Sequence, residues 1–280
     1  MDWNEIEIDM KLIAPSRPRF WLYLAGPAIV GAIYGSDTIV EWIELKIILL
    51  ILYFLIPANF LLYGINDIYD AKIDKLNPKK KIKENQYEGD FILPVAIVLS
   101  FIIGLILMSV LPQKIIPWMI GFLFLSLAYS APPFRFKTKP GIDSISNILY
   151  IFPGIITYIA VSGESPPIAA IVGGGLWAMA MHTFSAIPDI SPDRKGGIET
   201  LATVLGEKKT TIYCGFCWVF SSILFAFLDI RLGMIMLVYP VILGVLIVQK
   251  IEIKVAYWWY PWINAIMGCA MVLGGLWKIV

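Results

Sequence analysis

Nine stretches of this chain stay apolar for 17 residues or more, and this recurrence restricts the possible folds more than any other feature. They run approximately 18–36, 45–65, 91–111, 115–131, 145–162, 167–187, 210–228, 232–249 and 256–277. Roughly 17 to 25 apolar residues in a helix cross about 30 Å of hydrocarbon. Inside a bilayer each backbone N–H and C=O must be paired within the protein, and isolated segments of this length achieve that only as helices. Composition agrees: 59% of the 280 residues are hydrophobic and 15% charged, against about 25% charged in an average soluble domain. The expectation is an all-α integral membrane protein, a nine-transmembrane-helix bundle forming a single domain over residues 1–280.

The basic residues orient the bundle. With the N-terminus cytoplasmic, eighteen of the 22 lysines and arginines fall on the cytoplasmic side, leaving Lys46, Lys114, Arg231 and Lys278 opposite. That asymmetry is what the positive-inside rule describes. Asp2, Glu5, Glu7 and Asp9 are unlike the basic start of a cleavable signal, so the chain is expected to stay whole. Trp3, Ile6, Met10 and Ile13 recur at helical spacing, so residues 1–15 read as an interfacial segment or an unstructured leader. A formal net charge of +1, with no basic stripe interleaved with aromatics, offers nothing to nucleic acid.

Two acidic runs interrupt the oily pattern: Asn66-Asp67-Ile68-Tyr69-Asp70-Ala71-Lys72-Ile73-Asp74 after the second span, and Asp189-Ile190-Ser191-Pro192-Asp193-Arg194-Lys195 after the sixth. Four spans separate them, so both reach the cytoplasmic side and can face each other. Their separation of 119 residues suggests two diverged four-helix halves plus one helix. On a helix, positions 66, 70 and 74 share one face with Asp67. Anions at that spacing repel one another unless a cation sits among them. Hard oxygen donors suit Mg²⁺, which joins one or two carboxylates to phosphate oxygens. Asn66, Asp70, Asp74, Asp189 and Asp193 are therefore the candidate metal ligands, for two or more ions, clamping a diphosphate. The alternative is ordinary solvated loop charge, which two matching runs on one side make a poor account.

Three loops resemble the signatures of UbiA-superfamily intramembrane prenyltransferases: Asn66-x-x-x-Asp70-x-x-x-Asp74, the stretch Tyr129-Ser130-Ala131-Pro132-Pro133-Phe134-Arg135-Phe136-Lys137, and Asp189-x-x-x-Asp193-Arg194-Lys195-x-Gly197-x-x-Thr200. The resemblance covers the chain from about Arg17 to the last helix. It implies a helix bundle with a cytoplasmic cap, Mg²⁺, an allylic isoprenyl diphosphate donor and a hydrophobic acceptor drawn from the bilayer lipids. Ser16 to Pro27, Asn77-Pro78-Lys79-Lys80 and His182 to Ile190 are similar to the branch that elongates lycopene with five-carbon units. Many aromatic-acceptor members carry Asn-x-Pro-x-Arg-Pro after the first acidic motif. Here Asn77-Pro78 meets a lysine run instead, leaving Lys80 and Lys81 as candidate phosphate contacts.

Loss of diphosphate from such a donor leaves an allylic cation, and Lys or Arg beside the metal stabilise the charge developing on the leaving group. Lys137, Arg135, Arg17, Arg194 and Lys195 lie at the cytoplasmic edge for this, with Asp67 beside them. Aromatic faces stabilise the cation by about 0.5 to 2 kcal/mol each; Tyr63, Tyr129, Tyr150, Tyr158, Trp177 and Phe184 are candidates by position, though most aromatics in such a chain pack or form the interfacial belt. His182, the only histidine, could accept the released proton or bond a neighbouring helix; Asn147 is a supporting candidate, and Asp143 could simply begin its helix. Cys214, Cys217 and Cys269 lie in apolar spans and read as reduced packing residues, and Gly173-Gly174-Gly175 reads as close helix packing.

Lycopene or another carotenoid is the acceptor that the resemblance favours; an aromatic quinone precursor, geranylgeranylglyceryl phosphate or a chlorophyllide would suit the same scaffold. A cation-coupled transporter also places carboxylates in such a bundle. It calls for ionisable groups near the midplane on broken helices, whereas these sit at span ends beside lysines.

Overall fold

The computed structural model describes residues 13–74, 87 and 89–279, with the side chains of 72–74 outside that description. The segment expected over 1–15 therefore lies outside it up to residue 12, as do Lys80 and Lys81. Every regular element among the described residues is helical. Two 3₁₀ turns, Ala14–Ser16 and Pro18–Phe20, lead into α1 (Trp21–Gly35). The bundle continues through α2 (Leu45–Ala71), α3 (Ile92–Val110), α4 (Ile116–Ala128), α5 (Ile142–Ser162), α6 (Ile168–Lys195), α7 (Leu201–Leu228), α8 (Ile230–Val248) and α9 (Ile253–Ile279).

Among the described residues these nine helices fall where the apolar stretches were read. Seven of them are long and apolar enough to cross a membrane. The other two are shorter: α1 has 15 residues and α4 belongs to the apolar stretch Gln113–Ala128. Large apolar side chains such as Leu49, Phe220, Val241 and Trp277 are exposed on the outside, as expected where lipid rather than water is the solvent.

Changes of winding within α2 and α5 bear on the site. In α2 the α-helix Leu45–Leu55 ends before Pro57, which has no N–H to continue the ladder. A π turn at Phe60–Gly64 follows, then an α-helix that runs on to Asp74. In α5 a 3₁₀ stretch, Ser146–Ile151, stands ahead of the α-helix Phe152–Ser162. At three residues per turn, positions i and i+3 eclipse, so Asn147 and Tyr150 point the same way.

The core has two parts. One gathers Leu24, Phe54, Leu61, Phe122 and Ile156 from the first five helices; the other gathers Phe184, Trp218, Tyr239 and Tyr260 from the last four. The packing boundary thus falls after α5, one helix later than the division expected for a repeat. The cause is a close crossing of α1 and α5. A Cβ on Gly31 would stand 2.0 Å from the Gly154 carbonyl oxygen, and Thr157 Oγ1 donates across the same crossing to Ala28 O at 2.7 Å. Gly173, Gly174 and Gly175 admit Phe225, Ile151 and Ile148 less tightly, with 3.1–3.2 Å between an added Cβ and those side chains. Cys214 and Cys217 are buried packing residues, whereas Cys269 is exposed. At the α7–α8 corner Asp229 accepts from Arg231 N at 2.8 Å, and the bonded Arg231 guanidinium holds its carboxyl down to about 2. The corner therefore stays charged and capped at any physiological pH.

Gly31→Val forces α1 and α5 apart, and overpacking of this kind costs about 1–3 kcal/mol; its thermal unfolding in detergent is expected well below that of the native protein. Gly26, where an added Cβ meets nothing within 4 Å, is the control: Gly26→Ala is expected to unfold at or above the native temperature.

Candidate active site

The first acidic run leaves the π turn of α2 with its carboxylates already inside the protein. Asp67 is 1% exposed and Asp70 9%. Charges this deep are tolerated only when paired, and each is. Arg17 Nη2 lies 2.5 Å from Asp67 Oδ1, its guanidinium resting over the Tyr63 ring at 4.9 Å. Asp70 is met by Arg135 Nη2 at 3.2 Å and by Lys137 Nζ.

Local sequence explains how these cations arrive. In Phe134-Arg135-Phe136-Lys137 apolar and basic residues alternate; Phe134 and Phe136 pack on Phe124 of α4, at 5.4 and 6.3 Å between centroids, and the intervening cations turn to Asp70. Lys137 N also donates back to Tyr129 O at 3.1 Å, folding the loop onto the end of α4. Both arginines adopt left-handed backbone, with φ 52 at Arg17 and φ 44 at Arg135. That conformation costs on the order of 1–3 kcal/mol in a residue with a side chain, so the ion pairs are held against backbone strain.

Beneath this cluster lies a cavity of about 190 Å³ where the two core halves meet. Its wall combines the aromatic faces of Tyr63, Tyr129, Tyr150, Trp177 and Phe184 with the polar groups of Arg17, Asn66, Asn147, His182 and Ser185. Tyr63 and Tyr150 share a hydrogen bond between their hydroxyls at 3.2 Å, and Tyr129 OH lies 3.2 Å from His182 Nε2. Asn147 Nδ2 donates to the Asp143 carbonyl, which fixes the amide against the wall. Tyr158 does not reach this cavity. It lines a second, apolar one of about 440 Å³ between α1 and the helices α5 to α9. Tyr23, Trp177 and Asn264 line both, so the two spaces adjoin.

The second acidic run departs from the same end. Asn66 of the first run and Ser185, four residues before Asp189, stand in one cavity wall. A 3₁₀ turn, Ile187–Asp189, carries Asp189, and the short helix Ile190–Lys195 carries Asp193; both carboxylates are half-buried. Arg194 instead donates from Nε to the Thr203 carbonyl at 3.0 Å, tying this helix to α7, while Lys195 is exposed. Neither lines the cavity. Asp74 is helical, its side chain outside the description.

Asp143 stands in the first turn of α5, where it was read as a helix start, and also caps a second helix: it is fully buried and accepts from Leu201 N at 2.9 Å at the head of α7. No local pattern signals a cap 58 residues away. Tyr23, Tyr257, Tyr260 and Asn264 also line the first cavity and were not singled out from sequence. The three on α9 sit in an aromatic-rich stretch that looks like interfacial belt. Only Asn264, a lone amide in an apolar span, offered a signal.

Among the described residues no group of three or more His, Cys, Asp or Glu surrounds a single point. The donors at hand are all oxygen, from Asn66, Asp67, Asp70, Asp189 and Asp193. Such a set fits Mg²⁺ that completes its shell with phosphate oxygens and water, and not a metal held by protein alone.

Asp143→Ala removes the buried α7 cap and is expected to cost about 1–2 kcal/mol, read as a lower unfolding temperature in detergent. Asp143→Asn keeps an acceptor for Leu201 N and is expected to fall between the two.

The UbiA prenyltransferase family profile matches residues 24–258. A lycopene elongase/hydratase of Haloferax volcanii is 48% identical, over 95% of this chain and 88% of that protein. One from Halobacterium salinarum is 46% identical, over 96% of this chain and 98% of that protein. Among solved structures, a UbiA homolog from Archaeoglobus fulgidus bound to GPP and Mg²⁺ superposes with a TM-score of 0.78 at 21% identity, covering 96% of this chain and 99% of that one. The helical bundle is thus a shared fold, and the match over residues 24–258 together with relatives at 46–48% identity shows that the chain belongs to the UbiA prenyltransferase family.

Proposed function

We propose that this prenyltransferase moves the prenyl group of an allylic isoprenyl diphosphate onto a carotenoid, lycopene or a close analogue, at the cytoplasmic face of the membrane. The observation that carries the reading is the adjacency of three environments: carboxylates and cations at the rim, aromatic faces next to them, and an apolar groove that adjoins the aromatic cavity. Each suits one part of the reaction. The name borne by relatives at 46–48% identity supports the choice of acceptor. So does the groove, which follows α1 from Leu22 to Tyr34, roughly 18 Å at 1.5 Å per residue, enough to seat one half of an extended polyene and ill matched to a small polar aromatic acid.

Asn66, Asp70, Asp74, Asp189 and Asp193 would hold Mg²⁺, which when bound neutralises charge on the diphosphate as it leaves. Lys137 and Arg135 stand at Asp70, and Arg17 at Asp67, where donor hydrogen bonds can meet the departing oxygens. As the C–O bond breaks, the allylic carbon becomes cationic among Tyr63, Tyr150, Trp177 and Phe184, which shield it from water and face it with π density. The acceptor's terminal double bond supplies the electron pair for the new C–C bond and is left with a tertiary cation. That cation ends by losing a proton, for which His182 is the nearest imidazole, or by adding water. The relatives' paired name, elongase and hydratase, covers both outcomes.

Asp70→Asn and Asp189→Asn are each expected to abolish turnover of dimethylallyl diphosphate in membranes while the protein still elutes as a folded species; chelation of Mg²⁺ is expected to do the same. Full turnover in either variant would remove the metal assignment. In cells that make lycopene, expression of the chain is expected to give carotenoids heavier by five-carbon units in mass spectra, and unaltered lycopene would refute the acceptor.

A further inference from the structure

The wall between the aromatic cavity and the apolar groove contains a small polar knot that prenyl transfer does not require. Asn264 of α9 and Trp177 of α6 line both spaces, so they stand where the reacting tip of an acceptor lying in the groove enters the cavity. Tyr239 of α8 donates its hydroxyl to Asn264 Oδ1 at 2.8 Å, which turns the amide nitrogen away from Tyr239. That nitrogen, Asn264 Nδ2, and the indole nitrogen Trp177 Nε1 are buried without a hydrogen bond of good geometry, the first facing the Tyr23 hydroxyl and the second the Tyr239 hydroxyl. Buried donors are rarely left unmade because the full desolvation cost falls on them. Two in one wall, next to a cavity of about 190 Å³, are the setting in which ordered water is found.

The surrounding rings supply the other half of the argument. Trp177 and Tyr239 meet edge to face at 6.1 Å between centroids, and Tyr239 continues to Tyr260 at 6.5 Å. A cation at the junction is thus held against aromatic faces beside donors able to hold an oxygen. On this basis we infer that Asn264, oriented by Tyr239 and assisted by Trp177, positions the water molecule that converts the tertiary acceptor cation into an alcohol. The inference rests on the prenyl transfer proposed above and assigns its final step.

The step balances without a further reagent. An N–H of the knot holds the water by one lone pair, and the other lone pair forms the C–O bond to the tertiary carbon. The oxonium so formed gives its proton to His182, which lines the same cavity and is the only imidazole in the chain. Without the positioned water the same base removes a proton from the carbon next to the cation, and the product is an alkene. Asn264 and Tyr239 are therefore positioning residues whose effect appears in the partition between two products.

The experiment incubates membranes containing the full chain with lycopene and dimethylallyl diphosphate in ¹⁸O-water and measures labelled alcohol against alkene by mass spectrometry. Native protein, Asn264→Leu, Asn264→Gln and Tyr239→Phe are compared. The ratio is expected to fall in Asn264→Leu and Tyr239→Phe by about two- to tenfold, the effect of losing one hydrogen bond, with alkene replacing alcohol. Asn264→Gln, which keeps the amide, is expected to retain more alcohol than Asn264→Leu. A ratio unmoved in Asn264→Leu and Tyr239→Phe, at full or reduced turnover, overturns the inference; so does loss of all prenylated product in every variant, which would assign these residues to transfer itself. Native protein that makes no prenylated lycopene refutes the function proposed above, whereas native protein that makes only the alkene refutes the water site alone.

Discussion

Two carboxylates buried one helical turn apart, Asp67 and Asp70, set the conditions for this whole end of the molecule. A charge taken out of water must find a counter-charge inside the protein, and the cations described at Asp67 and Asp70 lie outside α2. The partners come from far along the chain: Arg17 from the segment before α1, Arg135 and Lys137 from the loop after α4. The need for those pairs draws three separate parts of the sequence onto one rim. It also accounts for the left-handed backbone at both arginines, since an extended backbone there would aim the guanidinium elsewhere. The cap is assembled by electrostatics on a frame built by apolar packing.

That frame was largely legible from the chain. Long apolar runs leave helices as the only choice, and helices stand at each stretch read from sequence. Periodicity placed Asn66, Asp67 and Asp70 on one face, and the structure keeps them on one helix. The winding changes were not legible. Pro57 signals a break in α2, but no residue pattern marks the π turn at Phe60–Gly64 or the 3₁₀ stretch at Ser146–Ile151. The crossing of Gly31 on Gly154 was likewise hidden, because a glycine in a membrane helix is common and its contact depends on the partner.

The site divides in the same manner. Charged candidates are conspicuous in an oily sequence, so Arg17, Arg135 and Lys137 could be picked out and are found on the carboxylates. Arg194 shows the limit of the method: a charge beside an acidic motif looks equally suited to a phosphate, yet its guanidinium is spent on the Thr203 carbonyl. Asp143 acts on α7, a relation that exists only in three dimensions. Tyr257, Tyr260 and Asn264 were lost among the many aromatics of a membrane protein, where composition cannot separate a lipid-facing ring from a cavity wall.

The groove along α1 has one open question built into its shape. Its inner end meets the aromatic cavity, and its other end reaches Asp229 and Lys278 at the far side of the bundle. A rod-shaped molecule lying there presents a single tip to the chemistry while the opposite tip points toward the other leaflet. Decorating both tips of a symmetric rod would then oblige it to slip out sideways, tumble end over end in the lipid and enter again reversed. Singly modified material would accumulate ahead of the doubly modified form, and bilayer fluidity would govern how fast one becomes the other.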